Sequence, residues 1–247
     1  MDSPPSSAVA GAAAAASALG DVVAGLARAL PVPADAARSA LSVARRAAQI
    51  QAPRIIVPAD VAAIAAILVT TVQALARAGE PADASAGLYA AAAATRACAP
   101  GSASPALTLA YGLARALCIG VEAACLGEAF LAEARTGFAD RQAASAARAR
   151  IRDAYDGAAD RIAAALGQRT LIVLDTAARE ASTFLVQEAS SLRPVIRVDA
   201  ARSFPAASLA WSLYADPSRA AELLARNGCG TPFHMPASFE APSPKAG

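Results

Sequence analysis

Few residues in this chain are able to do chemistry. One histidine, His234, and four cysteines, Cys98, Cys118, Cys125 and Cys229, are the whole imidazole and thiol inventory of 247 residues. No cysteine pair has the two-residue spacing of a zinc knuckle or a redox motif, and His234 lies in a proline-flanked turn without an acidic or thiol partner nearby in sequence. Cys118 and Cys125 stand on one helix face among alanines, as small buried hydrophobes suited to a reducing cytoplasm. Cys229, in NGCGTP, has no base beside it to make it a nucleophile. Glycine-rich phosphate loops, nucleophile elbows and paired-carboxylate motifs are missing as well. These residues predict no catalytic residue, no cofactor and no metal site: the chain is a part, not an enzyme.

The densest basic stretch, Arg141, Arg148, Arg150, Arg152 and Arg161, has the charge to meet nucleic-acid phosphates along one helix. Asp140, Asp153, Asp156 and Asp160 are interleaved with it, which predicts a solvated, salt-bridged face and no nucleic-acid partner. The formal net charge of +2 gives no basic surface in aggregate. Lys245 is the only lysine, and the excess of alanine and arginine is what GC-rich coding produces.

The elements that must position these residues are helices. Alanine supplies 75 residues while aromatics make up 4%, so the hydrophobic 56% has strong helix propensity but little bulk to bury. Mean hydropathy is positive, +0.40. The uncharged run Val61 to Ala76 is short for a bilayer and carries Thr70, Thr71 and Gln73; Pro105 to Phe130 is interrupted by Arg115, Glu122 and Glu128. Both are expected to be core helices, with no membrane span. The first charges, Asp2 and Asp21, make the amino-terminus a poor secretory signal.

Proline and glycine stops predict helices over Ala8 to Leu30, Ala36 to Gln51 with Asp35 at its start, Asp60 to Ala78 with Asp60 as cap, and Pro81 to Cys98. An extended segment is expected at Ala52 to Ala59. Three further helices follow: Ala106 to Arg135, which should be central, then Asp140 to Leu166 and Thr170 to Leu192. At Arg193 the composition changes, and the remaining residues hold the only tryptophan and histidine together with Phe204, Phe233 and Phe239. Pro194 to Asp199 alternates like a strand. Pro205 to Tyr214 and Asp216 to Asn227 read as short helices, the second capped by Asp216, started by Pro217 and closed by Gly228. The expected organisation is an alanine-rich helical domain at 1–192, a small aromatic-containing module at 193–242 with an extended end, and a flexible tail at 243–247. The aromatics are either the core of that module or anchors of a protein interface, with Trp211 and Tyr214 as the leading anchors.

The run FPAASLAWSLYADPSRAAELLARNGCGTPFHMP resembles the end of the phage Mu-type DNA circularisation protein family, which accompanies contractile-tail genes. The resemblance rests on Pro205, Leu213, Tyr214, Asp216, Ala225, Arg226, Asn227, Pro232 and Pro236 and covers about 35 residues. Ala215 stands where that family commonly has glycine, and the family's β-rich amino-terminal domain has no counterpart before the first helices, so the expectation from the resemblance is a split-off half. The resemblance implies a mainly α fold, an alanine-rich multi-helix bundle followed by a LysM-like α+β module. It implies a structural protein of a contractile tail, at the baseplate hub or tube end. Its partners would be tube, hub and other baseplate proteins, a separate amino-terminal-domain protein and further copies of itself in a symmetric ring. It would sit in the virion tail after assembly in the bacterial host cytoplasm. The interface residues implied are Phe204, Trp211, Tyr214, Asp216, Asn227 and Phe233. The rival expectation is a phasin-like amphipathic protein that coats a hydrophobic surface.

Overall fold

The computed structural model describes residues 6–244; Asp2 and residues 245–247 of the expected tail lie outside them. Helix accounts for 76% of the structure, with one two-stranded antiparallel sheet, so the chain is mainly α. The helices are α1 Ser6–Ala29, α2 Ala34–Arg46, α3 Pro58–Ala78, α4 Pro81–Ala97, α5 Pro105–Ala110, α6 Gly112–Arg135, α7 Arg141–Leu166 and α8 Gln168–Ser191. Then come β1 Val195–Asp199, α9 Ala206–Tyr214, α10 Ala220–Arg226 and β2 Ser238–Pro242. Two compact units share the chain: residues up to Thr136 with Arg148–Phe184, and Gly137–Ala147 with the residues from Leu185 on. The division therefore falls inside α7 and α8, not at Arg193 where the composition changes.

In the first unit α6 is central and packs against α1, α3 and α4. Leu19, Leu68, Leu75, Leu88 and Phe130 are fully buried, and alanines fill the space between them. Methyl side chains keep helices close. At Gly20 of α1 an added Cβ would lie 2.8 Å from the Ala44 carbonyl oxygen of α2, so only glycine allows this approach. The helix expected from Ala106 to Arg135 is broken at Tyr111, whose ring lies against Gly11 of α1.

The segment expected to be extended is only partly so. Ala52–Arg54 winds as a 3₁₀ turn, because Pro53 fits an opening helical turn as readily as a strand, and Pro58 and Ala59 already belong to α3; before them, the end of the expected helix Ala36 to Gln51 is a π-helical turn at Ala47–Gln51. Asp60 sits in the first turn of α3 instead of capping it, and its carboxylate still accepts the Ile56 and Val57 N–H groups at 2.8 and 3.0 Å. α3 starts at Pro58 and is 21 residues long, and both α1 and α3 are long and apolar enough to cross a membrane by length and composition. In this structure Leu19, Val23 and Leu26 of α1 and Ile64, Leu68 and Val72 of α3 are buried in the helical unit.

Two carboxylates of α6 are buried with arginines from outside. Glu133, 1% exposed, accepts a forked pair of hydrogen bonds from Arg150 of α7, at 2.8 and 3.0 Å. Glu122 accepts from Arg161 of α7 at 2.8 Å and Arg96 of α4 at 3.2 Å. Each arginine keeps part of its side chain in water while its head neutralises a charge that could not be buried alone.

In the second unit β1 and β2 pair antiparallel, Val195 opposite Pro242 through Asp199 opposite Ser238. Both helices between them pack on the sheet through Leu209, Ala210, Leu223, Met235, Phe239 and Ala241. Residues 137–147 belong here because the Gln142 side chain exchanges two 2.9 Å hydrogen bonds with the backbone of Val195, and Arg226 meets Asp140 at 2.9 Å.

Arg150→Ala strands the Glu133 carboxylate without its fork, and is expected to cost about 2–3 kcal/mol in urea unfolding at pH 7. A loss below about 0.5 kcal/mol would mean that solvent replaces the arginine.

Candidate functional site

The six residues singled out for an interface divide into two groups. Tyr214, Asp216 and Asn227 hold the second unit together. The Tyr214 hydroxyl donates to the Pro242 carbonyl at 2.9 Å, and the Arg219 guanidinium covers its ring at 3.7 Å. Asp216 accepts the N–H of Ser218 at 2.9 Å and opens the turn Pro217–Arg219 that leads into α10. The Asn227 amide donates to the Glu240 carbonyl at 2.9 Å and accepts the Glu240 N–H at 2.8 Å, as a neighbouring strand would. Phe204 is half-buried against the unit's core, with Arg202 over its ring at 5.2 Å. Trp211 and Phe233 belong to the other group, 61% and 68% exposed.

Trp211 faces out because α9 buries Ala206, Leu209 and Ala210, which leaves residues 207, 208, 211 and 212 on its open side. Phe233 lies near the other end of this helix, since the Ala206 N–H donates to the carbonyl of Pro232. The expected core role therefore does not extend to Trp211. The aromatic that fills the core is Phe239, 2% exposed. His234 is an exposed loop residue.

Ala215 carries the conformation that joins α9 to Asp216. Its φ of 54° and ψ of 24° place it in the left-handed region, the only non-glycine with positive φ among the described residues. Glycine would adopt this conformation without cost from Cβ. Gly228, with φ of 61°, closes α10 in the same way.

The arginines of 141–161 do not form the simple solvated face their spacing predicts. Arg150 and Arg161 reach the buried glutamates of α6, Arg141 donates to the Ala189 carbonyl at 3.1 Å, and Asp140 pairs with Arg226. Of the expected local pairs only Arg152 with Asp153 is present among the described residues, at 3.7 Å. Cys118 and Cys125 are buried free thiols, as their helical spacing indicates, and burial pushes both up to about 12. No group of three His, Cys, Asp or Glu side chains able to hold a metal gathers among the described residues.

A feature the sequence hid is a groove of about 340 Å³ in the first unit. Val69 and Gln73 of α3, Gly127, Glu128 and Leu131 of α6 and Val173 of α8 line it. Glu128 is buried, and loss of water raises its carboxyl above the usual range against the pull of Arg77 and Arg135. Glutamate is ordinarily a surface residue, so nothing in the spacing marked it.

Three outcomes follow. Trp211→Ala leaves the fold intact and changes the denaturation midpoint by less than about 1 kcal/mol, since the side chain is mostly in water; a loss of 3 kcal/mol would place it in a core. Ala215→Gly raises stability by about 0.5–1 kcal/mol by relieving the left-handed strain, read by thermal unfolding. Because the folded carboxyl of Glu128 titrates above its unfolded value, its contribution is favourable below the unfolded pKa and is lost as pH rises through the folded one. Glu128→Gln therefore raises the thermal midpoint at pH 7, and the gain shrinks toward pH 4; a gain that grows in acid would contradict this origin. No protein-family model and no curated protein matches the chain, so neither carries a functional assignment to these residues.

Proposed function

We propose that the chain is a structural component of a phage Mu-like contractile tail or related particle, at the baseplate hub or tube end, and that it works by docking through its second unit. One observation carries this: in a unit where Phe204, Tyr214 and Phe239 pack into its own fold, Trp211 and Phe233 stand in water. Large exposed aromatics are the side chains that dominate interface energetics, and two on a small unit favour a surface meant to be covered.

Two further features support the resemblance. Ala215 occupies the left-handed position at the place where the family commonly has glycine, which gives that preference a physical reason. The order strand, helix, helix, strand with an antiparallel pair suits a LysM-like module acting as a docking plug. Partners would be tube, hub or other baseplate proteins, a separate protein carrying the amino-terminal domain, and further copies in a ring. The arginines spent on internal carboxylates favour protein over nucleic acid as partner.

The phasin-like alternative draws on Leu131, Ile172 and Val173, which are exposed on α6 and α8. It predicts adsorption to hydrophobic granules that does not depend on Trp211.

The test is incorporation. In contractile particles purified from a strain that encodes this chain, mass spectrometry should find it at fixed stoichiometry. Trp211→Ala with Phe233→Ala should fold by circular dichroism yet weaken incorporation by at least about 2 kcal/mol, roughly thirtyfold. Particles that lack the chain, or that take up the folded double variant normally, would sink the proposal.

A further inference from the structure

The two edges of the sheet are unequally covered: on β2 Ser238 alone has no outer backbone partner among the described residues, whereas on β1 two successive outward residues have none. The sheet's hydrogen-bonding parity follows from the flanking bonds: Ala200 N–H donates to Ala237, and Ser243 N–H to Pro194, in register with the strand pairs. Even-numbered residues of β1 therefore bond inward to β2, and Val195, Arg197 and Asp199 turn their N–H and C=O groups outward. On β2 the outward groups of Glu240 are taken by Asn227 and the Pro242 carbonyl by Tyr214. On β1 Gln142 takes both groups of Val195. Arg197 and Asp199 have no backbone partner on the outer side among the described residues, and both are exposed. Such a row is a template for another strand.

We infer that this open edge pairs antiparallel with the same edge of a second copy, Arg197 opposite the partner's Asp199 and Asp199 opposite the partner's Arg197, about a two-fold axis at Val198. Parity and charge select this register. Shifting by two residues one way places Arg197 opposite Arg197 and brings in Val195, already satisfied by Gln142. Shifting the other way places Asp199 opposite Asp199. Only the inferred register uses both free residues and sets opposite charges across from each other twice. Val198 then meets its own copy at the axis, and Ile196, a large hydrophobic 37% exposed, falls opposite Ala200. The product is one four-stranded sheet with its outer edges held by Asn227 and Tyr214. A self-paired sheet of this kind requires no tail, so it stands or falls separately from the docking role of Trp211.

Sedimentation velocity of the full chain over a concentration series tests it. The wild-type chain should dimerise reversibly. Arg197→Asp or Asp199→Arg alone should raise the dissociation constant at least tenfold, and the two together should restore it. Hydrogen exchange needs no variant: the Arg197 and Asp199 amides should slow as concentration rises. A chain that is monomeric up to millimolar concentration, a dimer indifferent to the single exchanges or not rescued by the double one, or exchange at these two amides that ignores concentration would overturn the inference.

Discussion

Methyl groups set the terms of the helical unit. An alanine reaches only one carbon beyond its backbone, so a core paved with it excludes water only where helices come close, and each burial contributes little. The approach of α1 to α2 at Gly20 answers that constraint. A face of methyl groups also carries little shape, and one register resembles the next. Glu122 and Glu133 supply what alanine lacks: each places a charge on α6 that only a correctly positioned arginine from α4 or α7 can neutralise. Stability comes from many small burials, and the ion pairs decide which alignment of helices satisfies them all.

Punctuation was the legible part of the sequence. Proline, glycine and aspartate stops mark nearly every helix, and the Asp216–Pro217 start and Gly228 end of the penultimate element lie where their chemistry puts them. Asp60 shows the limit: from inside the first turn its carboxylate reaches back to the Ile56 and Val57 N–H groups, where a cap would have accepted from residues 62 and 63, and the spacing of the residues does not separate the two. Burial was less legible. Glu122 and Glu133 look like solvent-facing residues until the arginines that meet them, up to 39 residues away, are in place, and Glu128 is buried without an ion pair among the described residues. Trp211 was marked by its type, but its exposure follows from which side of α9 the alanines choose.

The division into units was hidden for a related reason. Composition changes at Arg193, yet the bonds that complete the second unit come from Asp140 and Gln142, 53 residues before Val195 in the latter case. One amide side chain there substitutes for a strand, and Asn227 repeats the device on the opposite edge. Side-chain amides can do this because they carry a donor and an acceptor at nearly the spacing of a peptide group. No local periodicity announces a long-range bond of that kind.

The lone tryptophan also makes the protein optically lopsided. Because Trp211 stands in water on the second unit, its emission should already be red-shifted in the native state, and neither the alanine helices nor the core around Phe239 carries an indole. Unfolding followed by that fluorescence would be nearly silent for the helical unit, whereas anything that covers the outward side of α9 would shift the signal to the blue.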